Sequence, residues 1–368
     1  MSQTSGIKGI RPVRFRRPSG RSPGNKWYRM TLYESALADI KTTVKKGNCG
    51  ANKGKRYGRL PLTDRGKAVA GLLFEILDAL GIPEYRSRFS NRIYSFWQKL
   101  AILALMSYHK IPYNDLGKGL GMFSGFLGRI GVGSIPHGST MCKFAGSLDK
   151  SILDKVVNAF SAAVGLSPII LVDTTCMSNF IRSAHYERRC GDFGRPPAPR
   201  TFTKLSLAVD KDTRLVVSAE AFDGNKGDIK FMPKHIADIK DSGLKPSRIV
   251  ADKGYDSDSI HRLIHDELGC PAVIPVRRSG GKRGFVVHGV YRNKMLALQK
   301  DEAVWKQDYG PRAIIESTNF MVKNRTGSNI RERNKDSREC RAMMDVIAFN
   351  IDRVLDLGLE QKMLGGFQ

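Results

Sequence analysis

The run Pro168-Ile169-Ile170-Leu171-Val172-Asp173 constrains the fold more than any other stretch of the chain. Four consecutive aliphatic residues leave no polar side, so a strand built from them has to be covered on both faces. Helices supply that cover, and the pattern downstream alternates as an α/β layer structure requires. Residues 204–209 and 215–220 read as a hairpin joined by Asp210-Lys211-Asp212-Thr213. A helix is expected over 229–242, then a strand over 248–252. A second helix over 257–268 stops at Gly269, before a strand over 272–276.

Two of these strands are expected to end in aspartate, at Asp173 and Asp252. Side chains at the carboxyl ends of sheet strands face the crevice where α/β proteins keep their chemistry, although a lone aspartate there also opens turns. A third acid, Glu316, lies in the stretch 308–323. Gly310-Pro311 starts a helix there, because proline is tolerated in the first turn, where its missing N–H has no partner. At ~100° per residue, Arg312, Glu316 and Lys323 share an arc of roughly 40°, with Tyr309 just outside the helix. Read alone, such a stripe is also that of a solvated face with i,i+4 pairing. Ile314, Ile315, Phe320, Met321 and Val322 predict buried surroundings instead. There Glu316 needs a partner stronger than water, a metal ion or a phosphate.

The charge balance names a polyanion. Lys and Arg number 61 against 35 acidic residues in 368, a formal charge of +26. Neutralising phosphates releases condensed counterions whatever the base sequence, so nucleic acid is the first candidate and an acidic membrane surface the second. No apolar run approaches the ~18 residues of a membrane span, and no secretory signal is seen. The six cysteines are scattered without a Cys-x2-Cys pair, which excludes a zinc-knuckle or disulfide-framework pattern and suits a cytosolic chain. His261 and His265 stand four apart on a predicted helix but lack a third ligand, and read as surface residues.

The charge is unevenly placed. The first 70 residues carry 17 Lys and Arg against three acids, an excess of 14 out of 26. Residues 1–60 read as a basic, partly disordered arm that orders on a nucleic-acid backbone. Residues 61–160 read as a helical DNA-binding domain. Helices are expected over 68–80 (capped by Thr63 and ended by Gly81), 91–108, 113–120 and 138–148, with a polar cap in Ile135-Pro136-His137-Gly138-Ser139-Thr140. The α/β part spans 161–356. It includes a basic, glycine-rich excursion over 277–307 with a short strand expected over 285–291, and residues 357–368 form a tail.

Tyr309, Arg312, Glu316 and Lys323 fit the spacing Tyr-x2-Arg-x3-Glu-x6-Lys. This resembles the surroundings of the last acid in the cut-and-paste insertion-sequence transposases that carry an Asp-Asp-Glu triad. Val172-Asp173-Thr174-Thr175 and Ala251-Asp252-Lys253-Gly254-Tyr255-Asp256-Ser257 follow the same family's order, and the similarity runs from about Ser167 to Asp352. The resemblance implies an RNase H-like, retroviral-integrase-like catalytic core, an order that periodicity alone does not separate from other α/β orders. It also implies a DNA transposase that binds the terminal inverted repeats of its element, cleaves there and joins the 3′ ends to target DNA.

Phosphodiester cleavage needs a strong nucleophile and a stabilised leaving oxygen. Two divalent ions ~3.5–4 Å apart supply both, held by carboxylates. By resemblance the catalytic and metal residues are Asp173, bridging two Mg²⁺ or Mn²⁺ ions, with Asp252 and Glu316 each completing one. Arg312 and Lys323 would hold DNA phosphates, and Tyr309 a phosphate or base. The expected partners are double-stranded DNA and a second copy of the chain, in the cytoplasm at the nucleoid. Only 63 residues separate Asp252 from Glu316, leaving no room for the long β-rich insertion of some relatives. Trp305 reads either as a base-stacking ring or as core. Two other readings stay open: a metal-dependent nuclease without strand transfer, and a non-catalytic DNA-binding descendant of a transposase.

Overall fold

The aliphatic run at 169–172 opens β1 (Ile169–Ser178), the middle strand of a five-stranded sheet. The computed structural model describes residues 62–86, 92–165, 168–179, 184–194, 201–277 and 287–358. The predicted basic arm, most of the glycine-rich loop and nearly all of the C-terminal tail lie outside them. On one side β1 pairs antiparallel with β2 (Phe202–Asp210), which pairs antiparallel with β3 (Val216–Asp223). On its other side it pairs in parallel with β4 (Arg248–Ala251), followed by β5 (Ala272–Val273). The order β3-β2-β1-β4-β5 is a mixed α/β arrangement consistent with the RNase H-like expectation. Asp173 does not end its strand as expected. β1 runs five residues further because Thr174–Ser178 continue the ladder with β2, whereas parallel pairing with β4 stops at Val172↔Ala251.

Helices cover the sheet. α1 (Leu62–Ala79) and α2 (Phe96–His109) come first. α2 starts later than the apolar pattern suggests because Ser95 and Gln98 form a capping box: Gln98 N donates to Ser95 Oγ (3.1 Å) and Ser95 N to Gln98 Oε1 (2.8 Å). Then follow α3 (Leu116–Gly121), α4 (Ser124–Arg129), α5 (Gly138–Gly146, capped by His137 Nδ1), α6 (Lys150–Asn158) and α7 (Ala184–Asp192). Between the later strands lie α8 (Met232–Asp241) and α9 (Asp258–Leu268). The latter is closed by Gly269 at φ 65°, a conformation glycine adopts without a Cβ penalty.

The described part of the excursion is mostly helical. It forms α10 (Val290–Leu298) and α11 (Glu302–Tyr309), which lead into α12 (Arg312–Thr326). Val290 and Tyr291 therefore do not extend the expected strand. Asp258 Oδ1 accepts from Tyr291 N (3.0 Å) and Arg292 N (3.4 Å), satisfying donors that a first helical turn leaves free. The same docking buries His261, only 2 % exposed, whose ring stacks on Tyr291. His261 is core, contrary to its reading as a surface residue.

The last helix, α13 (Lys335–Leu357), joins the two halves of the core. Met343, Met344, Ile347 and Ile351 are buried along it, and it packs against α1, α2, α6 and β3. Asn350 meets the start of β3 edge-on, accepting from Val216 N (2.9 Å) and donating to Val216 O (2.7 Å). Two residues further, buried Asp352 pairs with Arg65 of α1 (2.6 Å) and Arg325 of α12 (2.5 Å) and accepts from Tyr108 Oη (3.0 Å). Burial would lower the pKa of Arg65, and Asp352 and Asp356 more than offset it. Among the described residues, no helix is long and apolar enough to cross a membrane.

Candidate active site

α12 starts where Gly310-Pro311 predicts, with Pro311 as its N-cap and Arg312 as its first residue, and it runs to Thr326. Tyr309 lies outside it, as expected, as the last residue of α11. Buried Ile315, Thr318, Asn319 and Val322 seat the helix on the rest of the molecule. Asn319 Nδ2 donates to Asp173 Oδ2 at 3.0 Å, tying the middle of α12 to the middle of β1. Asp252 follows β4 immediately, one residue beyond the Val172↔Ala251 pair, and so lies beside Asp173 in the sheet. Arg312 closes the group. Its Nη1 meets Glu316 Oε1 at 2.5 Å and its Nε stands 3.8 Å from Asp252 Oδ1. Residues 173, 252 and 316 thus gather around the first two turns of one helix.

The electrostatics agree with that crowding. Burial pushes the Asp173 carboxyl up to about 6; the Thr174 backbone N–H and Arg312 oppose the rise, while Asp252 and Glu316 add to it. Burial pushes Tyr309 up to about 12, with Arg312 acting against it and the same three carboxylates adding to it. Lys323 is half-buried and its pKa is lowered by burial, with Cys176 and Asp173 pulling the other way. All six predicted residues therefore act within one electrostatic neighbourhood.

The burial expected around Glu316 is only half met. Its side chain is 59 % exposed, and Phe320 is 69 % exposed. Only the side of α12 turned to β1, α2 and α13 is covered, so hydrophobic identity alone mis-stated the environment. Asn319 escaped the sequence reading although ~100° spacing puts it about 20° from Arg312, on the same stripe as Glu316 and Lys323. That spacing was the available signal. Beneath Asp173, Thr174 Oγ1 bonds to Tyr255 Oη (2.6 Å) and to Ser206 Oγ (3.2 Å), so the strand following Asp173 is held by side chains as well as by its ladder. Trp305 is half-buried and stacks on Tyr309 at 4.7 Å, joining that ring to the border of the acidic group.

Chain segments far apart in sequence have thus brought two aspartates and a glutamate together in order. A family model described as the transposase DDE domain matches residues 165–351. The chain belongs to that family. The match to the DDE transposase domain begins just before β1 and ends within α13, so it takes in every strand of the sheet and the helix bearing Glu316.

DDE transposases act with divalent metal ions, and the donor set of this one can be tested against such an ion. Among the described residues, no group of three or more His, Cys, Asp and Glu side chains stands close enough together to hold a metal. The donors themselves suit a hard cation, since all three are carboxylates. Their mutual repulsion at Asp173 is the local charge excess a cation would relieve. Arg312, itself a cation, is paired with Glu316 and stands near Asp252.

Proposed function

We propose that this DDE transposase cuts DNA at the terminal inverted repeats of its insertion sequence and joins the 3′ ends to target DNA, with Asp173, Asp252 and Glu316 as its catalytic and metal-holding residues in an RNase H-like core. The observation that carries the reading is the double tether of α12: Asn319 on Asp173, and Arg312 between Asp252 and Glu316. In the first step water adds to phosphorus and gives up a proton, the P–O3′ bond breaks, and the departing 3′ oxygen takes up a proton, leaving a 3′-hydroxyl and a 5′-phosphate. In the second, that hydroxyl adds to a target phosphorus as the target's own P–O3′ bond breaks, so one phosphodiester replaces another without an energy source. Two Mg²⁺ or Mn²⁺ ions held by the three carboxylates would supply an acidified nucleophile and a neutralised leaving oxygen.

The chain's own cations do the remaining work. Arg312 and Lys323, at the two ends of the stripe, neutralise non-bridging phosphate oxygens next to the cut, and Tyr309 supports a phosphate or base. The helical region over 61–160 and the basic arm bind the element ends. Bringing two ends together makes the working form a homodimer on DNA, at the nucleoid in the cytoplasm.

The test is a pair of assays with Mg²⁺ present or withheld: cleavage of duplexes carrying the element ends, and joining of pre-cleaved ends to a target plasmid. Metal-dependent cleavage with joining is expected. Cleavage without joining would make the protein a plain nuclease, and neither would make it a DNA-binding descendant without activity.

A further inference from the structure

Phe320 is the most exposed large hydrophobic side chain among the described residues, at 69 %. A phenyl ring left in water forgoes the gain of burial. The ring follows Glu316 by one helical turn and precedes Lys323 by three residues, on the open side of α12. It does not belong to an apolar patch on that helix. The positions that flank it on the open side, Ala313, Ser317 and Asn324, are small or polar. A surface made for another protein would surround such a ring with further apolar area. Here one aromatic side chain stands between a carboxylate one turn before it, Glu316, and a cation three residues after it, Lys323. An occupant that offers phosphates and a flat π-face a few ångströms apart is a nucleic-acid strand.

We propose that Phe320 is a stacking platform for the nucleobase next to the cleaved phosphate, taking that base out of its own stack and fixing the phosphate over the acidic cluster. The proposal rests on the reading of α12 as the catalytic helix. It assigns to the helix a third task besides holding an acid and neutralising phosphates. Aromatic stacking is tolerant of base identity, so Phe320 contributes placement of the strand and not end recognition.

The experiment uses the full chain and element-end duplexes with 2-aminopurine on either side of the cleavage position. Binding is followed by fluorescence in Ca²⁺ and cleavage rate in Mg²⁺, for wild type, Phe320→Ala, Phe320→Leu and Phe320→Trp. The wild type is expected to change the fluorescence of one flanking 2-aminopurine on binding. Phe320→Ala is expected to lose that change and to cleave intact duplex roughly ten- to hundredfold more slowly. Phe320→Trp should restore both, and Phe320→Leu, apolar but without a π-face, should restore neither. A duplex lacking the flanking base should be cut equally by wild type and Phe320→Ala. Unchanged fluorescence and cleavage in Phe320→Ala would overturn the proposal. So would a change of oligomeric state in that variant with the fluorescence response intact, which would put a second copy of the chain on the ring. The fluorescence arm needs no chemistry, so it still decides the role of Phe320 if the wild type fails to cleave and the catalytic reading falls.

Discussion

With Glu316 paired to Arg312, a divalent ion entering the cluster has to displace a guanidinium. An exposed ion pair is worth up to about 1 kcal/mol, so Arg312→Ala is expected to tighten Mn²⁺ binding to the DNA-free protein by roughly two- to fivefold. Calorimetric or paramagnetic titration reads this directly, and unchanged or weaker binding would remove Arg312 from competition with the metal. The same variant should cleave more slowly once DNA is present, because it lacks a phosphate contact. A second residue titrates unusually for a different reason. His235 is fully buried between Ser206 Oγ (2.9 Å) and Ser218 Oγ (2.7 Å), and burial pushes it down to about 3. A base whose folded pKa lies below its unfolded value binds its proton more readily in the unfolded chain. Its contribution to stability is therefore complete above about 6.5 and is lost as pH falls toward 3. An NMR titration should find the His235 ring neutral at pH 5, and a midpoint near 6.5 would contradict its place in the core.

Among the elements, α12 carries Glu316 and packs against α13. Asp352 of α13 is the shared anion for Arg65 of α1 and Arg325 of α12, all within one buried cluster that also includes Tyr108. Removing one member of a buried charge cluster strands the others, so Asp352→Asn is expected to lower unfolding stability by about 3 kcal/mol in a urea titration. A loss under about 1 kcal/mol would show that the cluster is solvated and does not fix α12. The strands and helices of the α/β half were legible in the sequence because their periodicity and turn residues agree, as in the stop at Gly269 and the start after Pro311. Local pattern did not reveal what tertiary contacts decide. β1 continues past Asp173 because β2 offers it a partner, and α10 replaces a strand because Asp258 caps it. Likewise, nothing near His261 announces that Tyr291, thirty residues on, will cover it.

At the scale of the whole molecule, the charge of +26 and the acidic cluster have opposite signs and one purpose. The proposed function assigns the basic excess to DNA and the three carboxylates to the metal that meets its phosphate. The family was legible in the spacing and order of Asp173, Asp252 and Glu316, whereas Asn319 and the openness around Phe320 follow from how α12 lies on the sheet. The central claim is that residues 173, 252 and 316 together make DNA cleavage depend on a divalent ion. Asp252→Asn tests it most directly, by measuring binding to element ends and nicking in Mg²⁺ on the same preparation. Binding within about twofold of wild type with nicking reduced by at least about a thousandfold, or ~4 kcal/mol of barrier, is the expected result. Nicking at the wild-type rate would contradict the claim.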